Sequence, residues 1–199
     1  MRRQQIQDAA KKFFMLKGFN STTMDDIAQE AELSPATIYQ YFRNKEELYA
    51  SLNLITLVYL LNEVEKIYKN SKLSFEDKIK AFKDAMYRTF KYDPLVLRNI
   101  IHIQLEDTLL DLSIELLNEV NSLIQRIMTM IADVYEEGAR QGQFSQGRGI
   151  IHADIIWAMF SGLVLWEEAK RKLNPKKDFL KTTLDRSFDI FCRGIKNSI

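Results

Sequence analysis

Residues 22–48 read TTMDDIAQEAELSPATIYQYFRNKEEL, and their capping signals mark out two short helices and the opening of a third. Thr22 and Thr23 each have an aspartate three residues on, Asp25 and Asp26, so either threonine can begin a helix with a capping-box-like arrangement. That helix buries Met24 or Ile27 together with Ala28 and Ala31. After the turn Ala31-Glu32-Leu33, Ser34 is an N-cap and Pro35 takes the first helical position, where its missing N–H has no helical partner to lose. Ile38 and Phe42, at i and i+4, face inward; Ala36, Thr37, Gln40 and Tyr41 turn outward with Tyr39 beside them. Asn44, with Glu47 three residues later, caps the third helix and leaves Lys45 in its first turn.

A short helix whose outward end carries small residues, hydroxyls and an amide suits a DNA major groove, where glutamine can pair with adenine and threonine or alanine can meet a thymine methyl. Lys45 at a positive helix end suits a phosphate. Upstream, Ile6, Ala9, Ala10, Phe13 and Phe14 recur at helical spacing and predict a helix over Gln5 to Leu16, closed by Gly18. Net charge is only +1; residues 1–24 carry Arg2, Arg3, Lys11, Lys12 and Lys17 against Asp8 alone, and Asp25, Asp26, Glu30 and Glu32 offset that local excess of four. Geometry therefore points to DNA more strongly than charge does.

At these residues the chain resembles the TetR family of transcriptional regulators. The matching features are a phenylalanine-bearing first helix ending in Gly18-Phe19, then Thr-Thr-Met-Asp-Asp-Ile-Ala, then Leu-Ser-Pro-Ala-Thr-Ile-Tyr-Gln-Tyr-Phe-Arg-Asn-Lys-Glu-Glu-Leu, about the first quarter of the sequence. The resemblance implies that Thr37, Tyr39 and Gln40 lie at the groove, that Pro35 and Ala36 make backbone or apolar contacts, and that Thr23, Tyr41 and Lys45 touch phosphates. Asp25 stands where some members carry a basic residue for base contact, and Arg2 and Arg3 are an arm that could reach phosphate or minor groove or stay solvated. A small effector held between C-terminal helices, and a homodimer, are implied by the same resemblance.

The rest of the chain reads as helical. A long helix from Glu46 to about Asn70 carries Leu48, Leu52, Ile55, Val58 or Tyr59, Leu61, Val64, and Ile67 or Tyr68 inward, and is expected to be the one covalent bridge out of the DNA-reading end. Phe75 to Tyr92 has the stripe Ile79, Phe82, Met86 and Phe90, stopped by Asp93-Pro94. A short helix over 95–105, a very long one from about Thr108 to Gln141 with Gly138 and Gly142 at its end, and two more at about 153–173 and 177–196 complete an expected nine. Trp157, Phe160, Leu163, Val164 and Trp166 give the 153–173 helix more apolar surface than one inward face needs, so a C2 partner pairing through the last two helices is expected. Two recognition helices in successive major grooves then imply a palindromic operator.

The fold class is thus all-α: an N-terminal three-helix helix-turn-helix domain, 1–48, and a larger effector-binding and dimerisation domain, 49–199. Composition agrees, with 46% hydrophobic residues, 7 Gly and 3 Pro. A lone Cys192, no signal-like N-terminus and apolar runs shorter than a bilayer span point to a cytoplasmic protein outside the membrane. Phe82, Met86, Phe90, His102, Leu105, Met128, Met159 and Phe160 are candidate effector-lining residues, with ordinary core as the plain alternative; few charges on those faces suggest an apolar or amphipathic ligand. His102, Glu106, His152 and Asp154 form no dense ligand motif, and no nucleophile–base or phosphate-cradling motif occurs, so no metal, cofactor or catalysis is expected. The function these features support is a ligand-responsive DNA-binding regulator, a repressor released from its operator by the effector; an activator, or an all-α protein-interaction module, is the alternative.

Overall fold

The capping signals and apolar periodicities become eight helices among the described residues, which are 1–94, 97, 112–176 and 178–196 of a computed structural model. In chain order they are α1 (Arg2–Lys17), α2 (Met24–Glu30), α3 (Pro35–Tyr39), α4 (Lys45–Lys69), α5 (Phe75–Tyr92), α6 (Ile114–Arg140), α7 (Gly149–Leu173) and α8 (Leu180–Gly194). Among those residues there is no strand, and one isolated bridge pairs Phe144 with Lys196. The all-α expectation holds. The short helix expected over 95–105 lies outside the described residues except for Leu97.

The chain forms two compact units, residues 1–58 with 93–122, and residues 59–92 with 123–199. It therefore passes from one to the other at 58–59, 92–93 and 122–123, where a single helical bridge was expected.

In the first unit α1, α2, α3 and the start of α4 bury one core, built on Ile6, Ala10, Phe14, Ile27, Ile38, Phe42 and Leu48. Each large aliphatic or aromatic side chain so buried contributes about 1.5–3 kcal/mol. Phe14 meets Tyr49 edge-on at 4.7 Å between ring centroids, and Phe19 lies 4.6 Å from Tyr49, which anchors the turn after α1. Gly18 ends α1 at φ 79° and ψ 169°, a backbone region open to glycine and strained for other residues. A smaller cluster joins Ala50 to Leu112 and Leu116.

The inward line expected along α4 holds at its ends and fails in its middle. Leu48, Leu52, Leu61 and Val64 are buried, but Ile55, Val58 and Tyr59 are exposed, and Ser51, Asn53, Thr56, Leu57 and Leu60 are buried in their place. The polar members help to set this phase. Gln7 donates to the Ser51 hydroxyl at 3.1 Å, and Thr56 donates to Asp93 at 3.0 Å. Lys11 of α1 reaches the same Asp93 carboxylate at 3.0 Å, and Asp93 is only 3% exposed. A hydrophobic-periodicity argument does not see partners so distant in sequence.

In the second unit the α5 stripe is as expected, with Ile79, Phe82, Met86 and Phe90 all buried. Gly138 does not end α6 but lies inside it, because Phe144 folds back there: a Cβ at residue 138 would sit 2.6 Å from the Phe144 ring. The ring of Phe144 stacks on Tyr135 at 5.5 Å. Gly149, which lies before the helix expected from about residue 153, opens α7, where its N–H donates to Glu136 at 2.9 Å. This earlier start adds Ile150 and Ile151 to the apolar run, so α7 is long and apolar enough, by length and composition alone, to cross a membrane; the expectation of a shorter run is corrected. Its inward face is Ala153, Ile156, Phe160 and Val164, whereas Ile151, Ile155 and Trp166 remain exposed, Trp166 at 62%. Along α8, Leu180, Leu184, Phe188 and Cys192 are buried, and burial pushes the Cys192 thiol up to about 11.

Candidate functional site

The surface of α3 depends on the cap before it. Ser34 accepts from the Thr37 N–H at 3.2 Å and exchanges a 2.9 Å hydrogen bond with the Thr37 hydroxyl. Ile38 and, just beyond the helix, Phe42 anchor the opposite side, at 0% and 1% exposure. What faces outward is Pro35, Ala36, Tyr39 and Gln40, with Thr37 half-buried by its bond to Ser34. Tyr39 is 53% exposed and Tyr41 36%, so both phenols stand clear of the small bundle.

Thr23, not Thr22, is the N-cap of α2. Its hydroxyl accepts from the Asp26 N–H and its own N–H donates to the Asp26 carboxylate, both at 3.1 Å, a reciprocal capping box. Those bonds from Thr23, with Lys17 beside them, hold the Asp26 carboxyl below the usual aspartate range. Thr22 is buried instead and donates to the Gly18 carbonyl at 2.7 Å. At α4, Asn44 accepts from the Glu47 N–H at 2.7 Å, while the Glu47 carboxylate returns to the Arg43 N–H.

Lys45, the residue placed at a phosphate by the sequence, is engaged within its own chain. Its Nζ donates to the carbonyls of Phe19 at 2.9 Å and Thr22 at 3.0 Å and lies 4.3 Å above the Phe19 ring. Two of three ammonium donors thus tie α4 to the turn that delivers Thr23. The other N-terminal cations are similarly drawn in: Lys12 pairs with Glu30, Lys17 with Asp26, and Lys11 with Asp93. Arg2 and Arg3 are helical; the Arg3 guanidinium covers the Phe42 ring at 4.4 Å. Asp25 is exposed in the first turn of α2. None of these pairings across the bundle could be read from local spacing. The nearest signal was the matched content of acidic and basic residues.

Of the candidate effector residues, Phe82, Met86, Phe90 and Phe160 are buried, and Met128 and Met159 are half-buried. His102 and Leu105 lie outside the described residues. Burial is what a core residue and a cavity wall share. Phe90 borders a hollow of about 20 Å³ with Glu167, Arg171 and Leu180, and a separate cleft of about 530 Å³ is lined by Tyr68, Phe75, Lys78, Asp133 and neighbours on α6.

Comparison with known proteins places this geometry. Residues 6–52, which span α1 to the start of α4, match the bacterial regulatory proteins, tetR family. Over 193 residues the chain is 24% identical to the fatty acid metabolism regulator protein of Bacillus subtilis (strain 168), covering 97% of this chain and 95% of that one. It is 27% identical over 137 residues to the biofilm operon icaADBC HTH-type negative transcriptional regulator IcaR of Staphylococcus aureus (strain Newman), covering 66% and 68%. The fold superposes on the crystal structure of the transcriptional regulator FadR from Bacillus subtilis in complex with stearoyl-CoA with a TM-score of 0.73, 20% identity and 96% and 98% coverage. A capped helix-turn-helix that matches the tetR family over residues 6–52, within a helical fold like that of FadR over nearly its whole length, is the architecture of a DNA-binding transcriptional regulator.

Proposed function

We propose that this regulator is a cytoplasmic repressor that occupies a palindromic operator as a homodimer and leaves it when an acyl-CoA-like effector binds. The observation that carries the DNA half is the outward face of α3: exposed Ala36, Tyr39 and Gln40 at the end of a helix held by Ser34, Ile38 and Phe42. Thr37, Tyr39 and Gln40 read base edges, Pro35 and Ala36 approach the groove, and Thr23 and Tyr41 meet phosphates. Lys45 serves the same surface from behind, by bracing the turn before Thr23. Repression is supported by the relative named as a negative regulator, and the effector class by the relative named for fatty acid metabolism and the neighbour bound to stearoyl-CoA.

The body from residue 49 onward carries the effector and the partner. Exposed Ile151, Ile155 and Trp166 on α7, and Ile190 on α8, are an apolar face of the kind that a second copy covers, giving a four-helix interface. The effector acts by binding more tightly to a conformation in which the two copies of α3 no longer match adjacent grooves.

The test is fluorescence anisotropy on selected genomic fragments. Wild type should bind one site with two-fold symmetry, weaken steeply with salt, and be released by stearoyl-CoA; Gln40→Ala should change sequence preference by about 1–3 kcal/mol at one base pair per half-site. A Gln40→Ala protein with unchanged preference, or a monomer by light scattering at micromolar concentration, would overturn the docking or the dimer respectively.

A further inference from the structure

Along α4 the buried positions Ala50, Asn53, Leu57, Leu60 and Val64 follow one another at spacings of three and four, so they form one stripe. Four are apolar. Asn53 is the exception: it is 1% exposed, and neither its Nδ2 nor its Oδ1 has a hydrogen-bond partner among the described residues. The two other buried polar side chains on this stretch differ, since Ser51 bonds Gln7 and the Leu48 carbonyl, and Thr56 bonds Asp93. A carboxamide carries two N–H donors and an acceptor oxygen, and burying it unpaired is unfavourable enough that a retained one needs a partner. One turn before Asn53, Ala50 packs on Leu112 and Leu116.

From this we infer that Asn53 is the polar anchor for the effector, and that the group it recognises is a pantetheine-type acyl thioester. The inference rests on the effector reading above. A thioester carbonyl accepts from Nδ2. Across the sulfur and two methylenes lies an amide N–H that can donate to Oδ1, so one ligand segment supplies both missing partners. An ionised fatty acid offers only acceptors and leaves Oδ1 facing negative charge. Leu57 one turn on, and Leu112 and Leu116 packed on Ala50 one turn before, offer apolar surface for the acyl chain beside the anchor. Because α4 begins at the brace of Lys45, a ligand held by Asn53 acts on the helix that also supports the DNA-reading surface.

Calorimetric titration of the full-length protein tests this with three probes: stearoyl-CoA, the thioether S-octadecyl-CoA, which lacks the carbonyl, and stearate. Wild type should prefer the thioester to the thioether by about tenfold, the loss of one buried hydrogen bond, and bind stearate more weakly still. Asn53→Leu should bind thioester and thioether alike, and its ligand-free melting temperature should equal or exceed that of wild type. Asn53→Ala, which adds no bulk, should show the same loss of preference. A ligand-free Asn53→Ala protein melting several degrees below wild type beyond the effect of a matched Leu57→Ala control would mean that the carboxamide is bonded within the chain, and the inference falls. A wild type that binds thioester and thioether equally refutes the anchor and leaves the effector reading standing. If wild type binds no stearoyl-CoA at micromolar concentration, both fall together.

Discussion

Lys45→Met separates a brace from a phosphate contact. The substitution keeps most of the aliphatic stem and removes the ammonium, which donates to the Phe19 and Thr22 carbonyls at 2.9 and 3.0 Å and lies 4.3 Å above the Phe19 ring. Hydrogen bonds from a charged donor are worth about 1.5–3 kcal/mol each when well buried, but this site is half-exposed and water replaces part of the loss. The expected cost is about 1–2 kcal/mol, a fall of roughly 3–6 °C in melting temperature for a chain of this size. Because the braced turn delivers the Thr23 cap, operator affinity should also fall. Its salt dependence should barely change, since no counterion-releasing contact is lost. Anisotropy titrations at four or five salt concentrations, with thermal unfolding of the same sample, give both quantities. An unchanged melting temperature together with a slope of log K against log salt reduced by about 0.9 per protomer would refute the brace and restore a direct phosphate contact.

Gly138→Ala should destabilise the protein by about 1–3 kcal/mol in denaturant titration, because the added methyl meets the Phe144 ring at 2.6 Å, and Phe144→Leu in the same chain should recover part of the loss. Asp93→Ala removes the buried carboxylate shared by Lys11 and Thr56 and should cost about 2–4 kcal/mol, while Lys11→Met, whose partner keeps the Thr56 bond, should cost less. Asp26 has its folded-state pKa lowered chiefly by bonds from Thr23, so its contribution is present above the unfolded aspartate pKa and disappears as pH falls through the lowered value. The melting-temperature gap between wild type and Asp26→Asn should therefore be steady from neutral pH down to about 5 and close below the usual aspartate range.

Signals carried by neighbours in sequence were legible. Ser34-Pro35, Thr23 with Asp26, and Asn44 with Glu47 each act within four residues, and each appears in the structure as a cap. The amphipathic stripe of α5 was equally readable, because Ile79, Phe82, Met86 and Phe90 keep helical spacing even with Lys83 and Thr89 buried beside them. What was not legible depended on residues far apart in the chain. The phase of α4 turns on Gln7 and Asp93, and the continuation of α6 through Gly138 depends on where Phe144 folds back. The candidate interface shows the same split: the outward set on α3 followed from the bundle anchors Ile38 and Phe42, whereas the engagement of Lys45 by two carbonyls more than twenty residues earlier had no local signature. Asn53 has no local signature either, since a lone asparagine interrupts an apolar stripe with no sequence neighbour to account for it.

The carboxylate of Asp93 also bears on how portable the DNA reader is. Residues 6–52 match the family, but the compact unit they belong to runs on to residue 58 and takes in 93–122. A chimaera joined after residue 52 would leave behind Asp93, the acceptor for Lys11, and the Leu112 and Leu116 side chains that cover Ala50. Such a graft inherits the cap signals and the exposed residues of α3 while uncovering apolar surface on α4. Exchanging specificities between relatives is therefore better done by replacing side chains on α3 than by moving the first fifty residues as a cassette.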